Sequence, residues 1–182
     1  TFLEGIKQFA PRGIPLLGIN TGTLAFLVRV DSEDIEEALT ETIQGRSDIA
    51  RRQQLHVSGP DLDATGINDV MVQHPMPEDV FERKITKLDA FADGEYVGEY
   101  DGTGLAVATP TGSTGVSLSS GGPVQNPENN SSLQIVPLQT HKMGVRPLII
   151  SNDTKVDVVA KEAADVLVDG GRHYIPLEEG ES

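Results

Sequence analysis

Residues 104–115, Gly-Leu-Ala-Val-Ala-Thr-Pro-Thr-Gly-Ser-Thr-Gly, contain the pattern that decides the fold. The apolar residues 105–108 predict a buried strand that runs into a loop of hydroxyl and glycine residues, with a helix beginning near Ser117. Small residues and exposed N–H groups at the start of a helix can bind phosphate or ribose, although an ordinary turn explains the same residues. On this stretch alone both interpretations stay open.

Short strands separated by turns are predicted on both sides of this stretch. Asp93-Gly94 is a typical hairpin turn between two of them. Strands at this spacing indicate a mostly antiparallel, sandwich-like sheet structure. The predicted strands are 50–57, 65–74, 82–92, 95–100, 104–109, 133–138, 147–151, 154–160, 164–169 and 172–177.

The first residues have a different hydrophobic pattern. It predicts a helix over 2–10, a buried strand over 14–19 and a helix over 31–44. This order is typical of the end of an α/β domain, and a buried parallel strand needs partners that residues 1–30 do not supply. We therefore expect an internal start, with further chain before Thr1. The predicted fold class is α+β, with residues 1–46 as the end of an α/β domain plus a linker helix and 47–182 as a β-rich domain.

Composition excludes several classes of function. The formal net charge is −14, which disfavours binding to nucleic acid and to anionic membranes. The chain has no cysteine, so disulfides, thiolate catalysis and cysteine–zinc sites are excluded. No apolar run has the length of a transmembrane helix and the first residues do not form a signal peptide, so we predict a cytoplasmic protein.

Three further segments carry polar residues of interest. Asn68 and Asp69 interrupt an apolar run, which indicates either a turn or side chains that point into a ligand cleft. Asp169 begins an Asp-Gly-Gly sequence that is typical of a hairpin turn. None of the four histidines has a partner at metal-ligand spacing, so we predict no metal site. His141 lies near Lys142 and Arg146, and these cations could face phosphate.

Taken together, these segments resemble the NAD kinase family. The start of the chain is similar to the end of that family's Gly-Gly-Asp-Gly-Thr loop, and further matches follow in family order along nearly the whole sequence. The matching segments are Thr1-Phe2-Leu3, Gly18-Ile19-Asn20-Thr21-Gly22 through Leu27, Asn68-Asp69-Val70, Thr109 to Thr114 with Ser117 to Ser119 and Gly121-Gly122-Pro123, His141, Arg146-Pro147-Leu148, and Asp169-Gly170.

The resemblance implies a reaction in which ATP or polyphosphate phosphorylates the 2′-hydroxyl of the adenosine ribose of NAD, with Mg²⁺ or another divalent cation on the phosphates. The general-base aspartate of the family would lie upstream of Thr1, so this chain would hold no catalytic residue and would be inactive alone. It also implies an NAD-binding C-terminal domain and a homodimer or homotetramer. The NAD-binding residues it implies are Asn68, Asp69, Thr103, Thr114, Gly115, Val116, Ser117, Leu118, Ser119, His141 and Gly171.

Several positions depart from the family pattern. Thr103 stands where a ligand-binding aspartate is usual, Asp101 where a cation is frequent, and Val116 where a tyrosine is usual. Asp69 replaces glutamate, Gly171 replaces glutamine and Ala25 replaces glycine. Besides an active kinase, the sequence is therefore compatible with a non-catalytic or altered-specificity relative that binds a nucleotide, or with a β-domain that only mediates assembly.

Overall fold

A computed structural model describes residues 2–22, 27–28, 30–59, 62–75, 85–170, 173–177, 179–180 and 182. The chain divides into two compact units, Thr1–Arg51 and Arg52–Ser182. The unit boundary falls close to the predicted domain boundary at residues 46–47.

The first unit contains two helices and one short parallel strand pair. Helix α1 spans Phe2–Phe9 and continues into a 3₁₀ turn over Ala10–Arg12. Strand β1 (Ile19–Asn20) pairs in parallel with β2 (Val30–Asp31). A 3₁₀ turn over Ser32–Asp34 leads into helix α2, Ile35–Ile43.

The predictions for this unit hold for the helices better than for the strand. The predicted strand over 14–19 is wrong for most of its length, because only its last residue enters the pairing with β2. Asp31 precedes the 3₁₀ turn, and its side chain makes no capping hydrogen bond. Two apolar side chains of α2, Leu39 and Ile43, are 46% and 83% exposed.

In the described part of the second unit, the regular secondary structure is mostly antiparallel strands. They are β3 (Leu55–Gly59), β4 (Leu62–Gly66), β5 (Asp69–Gln73), β6 (Thr86–Ala92), β7 (Glu95–Gly102), β8 (Gly104–Ala108), β9 (Ser132–Leu138), β10 (Leu148–Ser151), β11 (Val156–Ala160), β12 (Ala164–Val168) and β13 (His173–Leu177). Helix α3, Val116–Ser119, follows a 3₁₀ turn over Gly112–Thr114.

These strands form a six-stranded sheet in the order β10-β9-β8-β5-β12-β13, a three-stranded sheet in the order β11-β6-β7, and the β3–β4 hairpin. One hydrophobic core takes side chains from all three, among them Leu55, Val72, Leu88, Ile135 and Val166. Alternation along each strand explains this, because Val70 and Val72 of β5 face that core while Met71 faces the other side. The prediction of a mostly antiparallel sandwich-like fold is thus confirmed.

One predicted strand is two in the structure, and the difference positions the candidate site. The segment 65–74 divides into the end of β4 and the whole of β5, with Ile67 and Asn68 in the bend between them. Ile67 is itself buried, at 5% exposure. The turn that Asn68 and Asp69 allow as one of two interpretations is present, at Ile67 and Asn68.

Candidate functional site

Three segments of the second unit meet around the bend between β4 and β5. They are the bend itself with Asn68, the loop that follows β8, and Asp169, the first residue after β12. The Asp169 carboxylate accepts hydrogen bonds from the backbone N–H groups of Asn68 (2.8 Å to Oδ1) and Ile67 (3.1 Å to Oδ1 and 3.0 Å to Oδ2), with a longer one from Asp69 (3.4 Å to Oδ1). In return the Asp169 N–H donates to the Asp69 carbonyl at 3.0 Å.

The loop after β8 closes on the other side of the bend. The Thr109 hydroxyl donates to the Ile67 carbonyl at 2.6 Å, and the Thr109 N–H donates to the Asn68 carbonyl at 2.9 Å. The Gly112 N–H donates to the Thr109 hydroxyl at 3.1 Å. Gly112 is packed so closely that a methyl group on it would lie 2.0 Å from the Asn68 carbonyl oxygen, so no larger residue fits there.

Asp69, like Asp169, is a buried acid of this arrangement, at 5% exposure. Burial, together with the smaller effect of the negative charge of Asp169, raises the pKa of Asp69 to about 6. Its Oδ2 borders Gly115, because a methyl group on that glycine would lie 3.6 Å from this oxygen. Asn68, by contrast, is partly exposed. The pair therefore presents an amide and a carboxyl group of perturbed proton affinity beside the glycine-rich loop.

The predicted phosphate cradle of this loop has fewer free donors than the sequence indicated. The N–H groups of Gly112, Ser113 and Gly115 all donate within the loop, to Thr109 Oγ1 and to the carbonyls of Pro110 and Gly112. Backbone amides at these three positions are thus already used for the turn itself. The structure supports the interpretation of a tight turn here, while the contact with Asp69 keeps the loop beside the ionisable group.

The residues of α3 and of the turn before it differ in exposure and in their hydrogen bonds. Ser117 is fully buried, and its hydroxyl donates to Gln134 Oε1 at 2.8 Å, while Gln134 Nε2 donates to the Pro123 carbonyl at 2.8 Å. Val116 packs against the apolar residues on the second face of the sheet. Leu118 is 49% exposed, and Ser119 is also exposed. Thr114 is partly exposed, with a long contact from its hydroxyl to the Thr111 carbonyl at 3.5 Å.

Thr103 and His141 lie around the junction of β7, β8 and the end of β9. The Thr103 hydroxyl donates to the Leu138 carbonyl at 3.1 Å, so it is used within the fold. His141 is exposed, and its backbone N–H donates to the Asp101 carbonyl at 3.0 Å. This tether places His141 next to β7, one strand away from β8 in chain order.

The two cations near His141 are engaged by the chain. Lys142 forms an ion pair with Glu99, which also pairs with Lys161 at 2.8 Å. These lysines lower the pKa of Glu99 to about 2, chiefly through their hydrogen bonds. Arg146 donates to the carbonyls of Met143 and Val145. The expectation of three cations available for phosphate is therefore wrong for Lys142, whose charge is matched by Glu99.

Comparison with known proteins identifies the family of the chain. The family model for the ATP-NAD kinase C-terminal domain matches residues 67–182, and that for the ATP-NAD kinase N-terminal domain matches residues 1–47. The chain belongs to the NAD kinase family. An NAD kinase of Flavobacterium psychrophilum is 37% identical over 161 residues (86% of this chain, 53% of the relative), and one of Desulforamulus reducens is 34% identical over 188 residues (100% and 63%).

Solved structures of the NAD kinase family have the same fold. Yeast NADH kinase complexed with NADH superposes with a TM-score of 0.85 at 28% identity, covering 100% of this chain and 53% of the yeast chain. An NAD kinase from Archaeoglobus fulgidus in complex with ATP gives a TM-score of 0.78 at 28% identity, covering 92% and 63%. The chain thus spans between about half and two-thirds of the length of these relatives.

Some predictions lie beyond what the structure describes. Gly171, predicted at the NAD site of this NAD kinase family member, lies outside the described residues, as does Ala25. Within the described ranges, no three histidine or acidic side chains come together as a metal site would require. No described helix is both long and apolar enough to cross a membrane.

Two residues that hold the site together were not predicted as site residues. The sequence predicts Asp169 as part of a hairpin turn and of a family motif, and no sequence pattern marks Gln134. The Asp-Gly-Gly sequence did signal Asp169, because its φ of 50° is a left-handed value that aspartate tolerates and that turns require. What the sequence did not reveal is that its side chain reaches across to the bend that carries Asn68.

Proposed function

We propose that the protein to which this chain belongs is an NAD kinase, which transfers a phosphoryl group from ATP to the 2′-hydroxyl of the adenosine ribose of NAD. The observation that carries this proposal is the meeting of the Asn68–Asp69 bend, the loop after β8 and Asp169 in one unit. Each of these segments belongs to a motif of the family. The solved relatives with bound NADH and ATP support NAD as acceptor and ATP as donor; polyphosphate stays an alternative donor.

In this proposal Asn68 and Asp69 bind the adenosine half of NAD. An ionised carboxylate accepts hydrogen bonds from ribose hydroxyls, and a partly exposed amide both donates to and accepts from an adenine edge. Because the pKa of Asp69 is about 6, its carboxyl group is ionised at neutral pH and becomes a weaker acceptor in mild acid. Gly115 lies beside this carboxyl group, and the exposed residues Gly115, Leu118 and Ser119 would border the nucleotide.

The remaining proposed NAD-binding residues differ in how they would contribute. Thr114 and His141 would act through side chains that are at least partly exposed. Thr103, Val116 and Ser117 would act by shaping the pocket, since their side chains contact the chain itself. Gly171 keeps its proposed place from the family motif.

The catalytic base is proposed to lie upstream of Thr1, in the family's Gly-Gly-Asp-Gly loop. A base on the hydroxyl and a divalent cation on the donor phosphates are what phosphoryl transfer of this kind requires. The described residues bring no three candidate ligands together for such a cation. We therefore assign to this chain the binding and orientation of NAD, and we propose that the 182 residues alone are inactive.

One observation favours a second candidate, a relative that binds nucleotide without catalysis or with altered specificity. Thr103 replaces the usual aspartate of the family, and its hydroxyl is already bound to the Leu138 carbonyl. A carboxylate contact to the ligand is thereby missing at this position. Weak or absent phosphorylation by the full-length protein, with NAD binding retained, would favour this candidate.

The test is a calorimetric titration of the chain with NAD, using adenosine monophosphate and GTP as comparison ligands. We expect saturable NAD binding that weakens about tenfold in Asn68→Ala, the effect of losing one or two hydrogen bonds to the ligand. Asn152→Ala is a matched control, because Asn152 is an exposed asparagine outside the proposed site, and its amide donates to the Asn130 carbonyl at 2.7 Å. Binding of GTP as tight as that of NAD, or an unchanged affinity in Asn68→Ala, would contradict the proposed site.

Kinase activity is tested on the full-length protein with ATP and, separately, with polyphosphate.

We propose a cytoplasmic protein that assembles as a homodimer or homotetramer with itself as partner, and that binds neither nucleic acid nor membranes. The assembly rests on the family resemblance, and sedimentation of the full-length protein tests it.

A further inference from the structure

Asp169 occupies an unusual position for a residue in a hairpin turn. Its side chain points away from the turn between β12 and β13 and back toward the bend between β4 and β5. Three consecutive backbone N–H groups, those of Ile67, Asn68 and Asp69, are directed at its carboxylate. Asp169 is 7% exposed, so these bonds are made in a largely water-free environment.

This arrangement fixes the backbone on which the candidate ligand-binding side chains stand. Hydrogen bonds to an ionised acceptor are about twice as strong as neutral ones. The return bond from the Asp169 N–H to the Asp69 carbonyl, at 3.0 Å, closes the link in the other direction. The backbone of the bend is therefore held in place, and the Cα–Cβ bonds of Asn68 and Asp69 keep their directions.

Asp169 also acts on Asp69 through its charge. The elements around Asp69 present Ala108 from β8, Gly115 from the following loop and Gly66 from the end of β4, none of which is ionisable. Within the described part of the chain, Asp169 is the charged group that raises the pKa of Asp69, in addition to burial. Removing that charge should make Asp69 easier to ionise.

We propose that Asp169 is a positioning residue for the nucleotide site: its carboxylate holds the Asn68–Asp69 bend in the binding geometry, and its charge acts on Asp69 from inside the fold. The link to NAD rests on the proposed function. The structural part of the proposal applies to the unliganded chain as well.

The first measurement is made without ligand. The titration of the Asp69 carboxyl is followed by carbon NMR in the parent chain and in Asp169→Asn, together with hydrogen exchange of the Ile67, Asn68 and Asp69 amides. Asparagine keeps one acceptor oxygen and tolerates the left-handed backbone, but it places an NH₂ group near the Ile67 N–H and removes the charge. We expect a lower titration midpoint for Asp69 and faster exchange of these amides.

The matched control is Asp165→Asn. Asp165 is also buried, at 1% exposure, and lies on β12, but it pairs with Gln73 at the opposite end of β5 from Asp69. We expect this variant to lose stability without moving the Asp69 midpoint. An unchanged Asp69 midpoint in folded Asp169→Asn, or an equal shift in Asp165→Asn, would overturn the proposal.

The second measurement connects Asp169 to NAD. Titrations over a range of pH should show affinity rising with the ionisation of Asp69 in the parent. In Asp169→Asn the affinity should be about tenfold weaker at neutral pH, with its pH midpoint moved downward. A parent chain that binds no NAD would refute the proposed function while leaving the ligand-free result to decide the role of Asp169. Equal affinity and equal midpoint in parent and variant would refute the positioning role.

Discussion

Replacing Gly112 with alanine should separate the loop after β8 from the bend that carries Asn68 and Asp69. A methyl group at this position would lie 2.0 Å from the Asn68 carbonyl oxygen and 2.4 Å from its carbonyl carbon. Both are backbone atoms, so no side-chain rotation relieves the contact. Because non-bonded atoms of this kind require about 3.5 Å, the two segments must move apart by more than an ångström.

The magnitude follows from what that movement breaks. The Thr109 N–H to Asn68 carbonyl bond, 2.9 Å in the structure, would exceed hydrogen-bonding distance. Overpacking costs about 1–3 kcal/mol and a lost hydrogen bond about 1 kcal/mol, so we expect the free energy of unfolding to fall by about 2–4 kcal/mol. For a domain of this size that lowers Tm by at least about 6 °C.

The assay is thermal unfolding by circular dichroism, followed by NAD titration at a temperature where the variant is folded. Gly98→Ala is the matched control, because Gly98 lies in β7 where a methyl group would meet no atom within 4 Å. We expect Gly112→Ala to unfold at lower temperature and to bind NAD more weakly than the control. Identical unfolding temperatures and affinities in the two variants would refute the role assigned to this close contact.

Two further predictions concern the buried polar groups. Asp69→Asn should raise the free energy of unfolding above that of the parent, and by more at neutral pH than in acid. The folded-state pKa of Asp69 is raised to about 6. The stability of the parent therefore falls as the pH rises from the unfolded-state pKa to that value, by about 3 kcal/mol in all. Urea unfolding of parent and variant over this range measures it, and a difference that does not change with pH would contradict it. Ser117→Ala should cost about 1–3 kcal/mol, because Gln134 Oε1 loses its buried donor. Exposed Ser119→Ala in the same helix is the control and should stay within about 0.5 kcal/mol of the parent; equal costs in the two serine variants would argue against the Ser117–Gln134 bond.

The sequence predicted those parts of the fold that depend on local chemistry. The Asp93-Gly94 turn is present, with φ values of 51° and 81° at the two residues, as a primed hairpin turn requires. The buried strand before the hydroxyl-rich loop is β8, and α3 follows that loop near the predicted position. In each case neighbouring residues carry the whole signal.

The parts that were not predicted depend on contacts between distant residues. The break at Asn68 is fixed by Asp169, 101 positions later in the chain, and by Thr109. The interruption of the apolar run at Asn68 and Asp69 leaves a turn open as one of two interpretations, but no local pattern identifies the distant partners that fix it. The pairing of Lys142 with Glu99, 43 positions apart, was missed for the same reason.

The departures from the family pattern divide according to what their side chains touch. Val116 packs with Ala106, Val136 and Leu138 on the second face of the sheet, and Thr103 bonds to the Leu138 carbonyl. Both replacements are thus integrated into the internal packing of the chain. Asn68 and Asp69 keep an amide and a carboxyl group at the bend, held by partners that match the family motifs. Nucleotide recognition by this chain should therefore depend on the bend and its support from Asp169 more than on Val116 and Thr103.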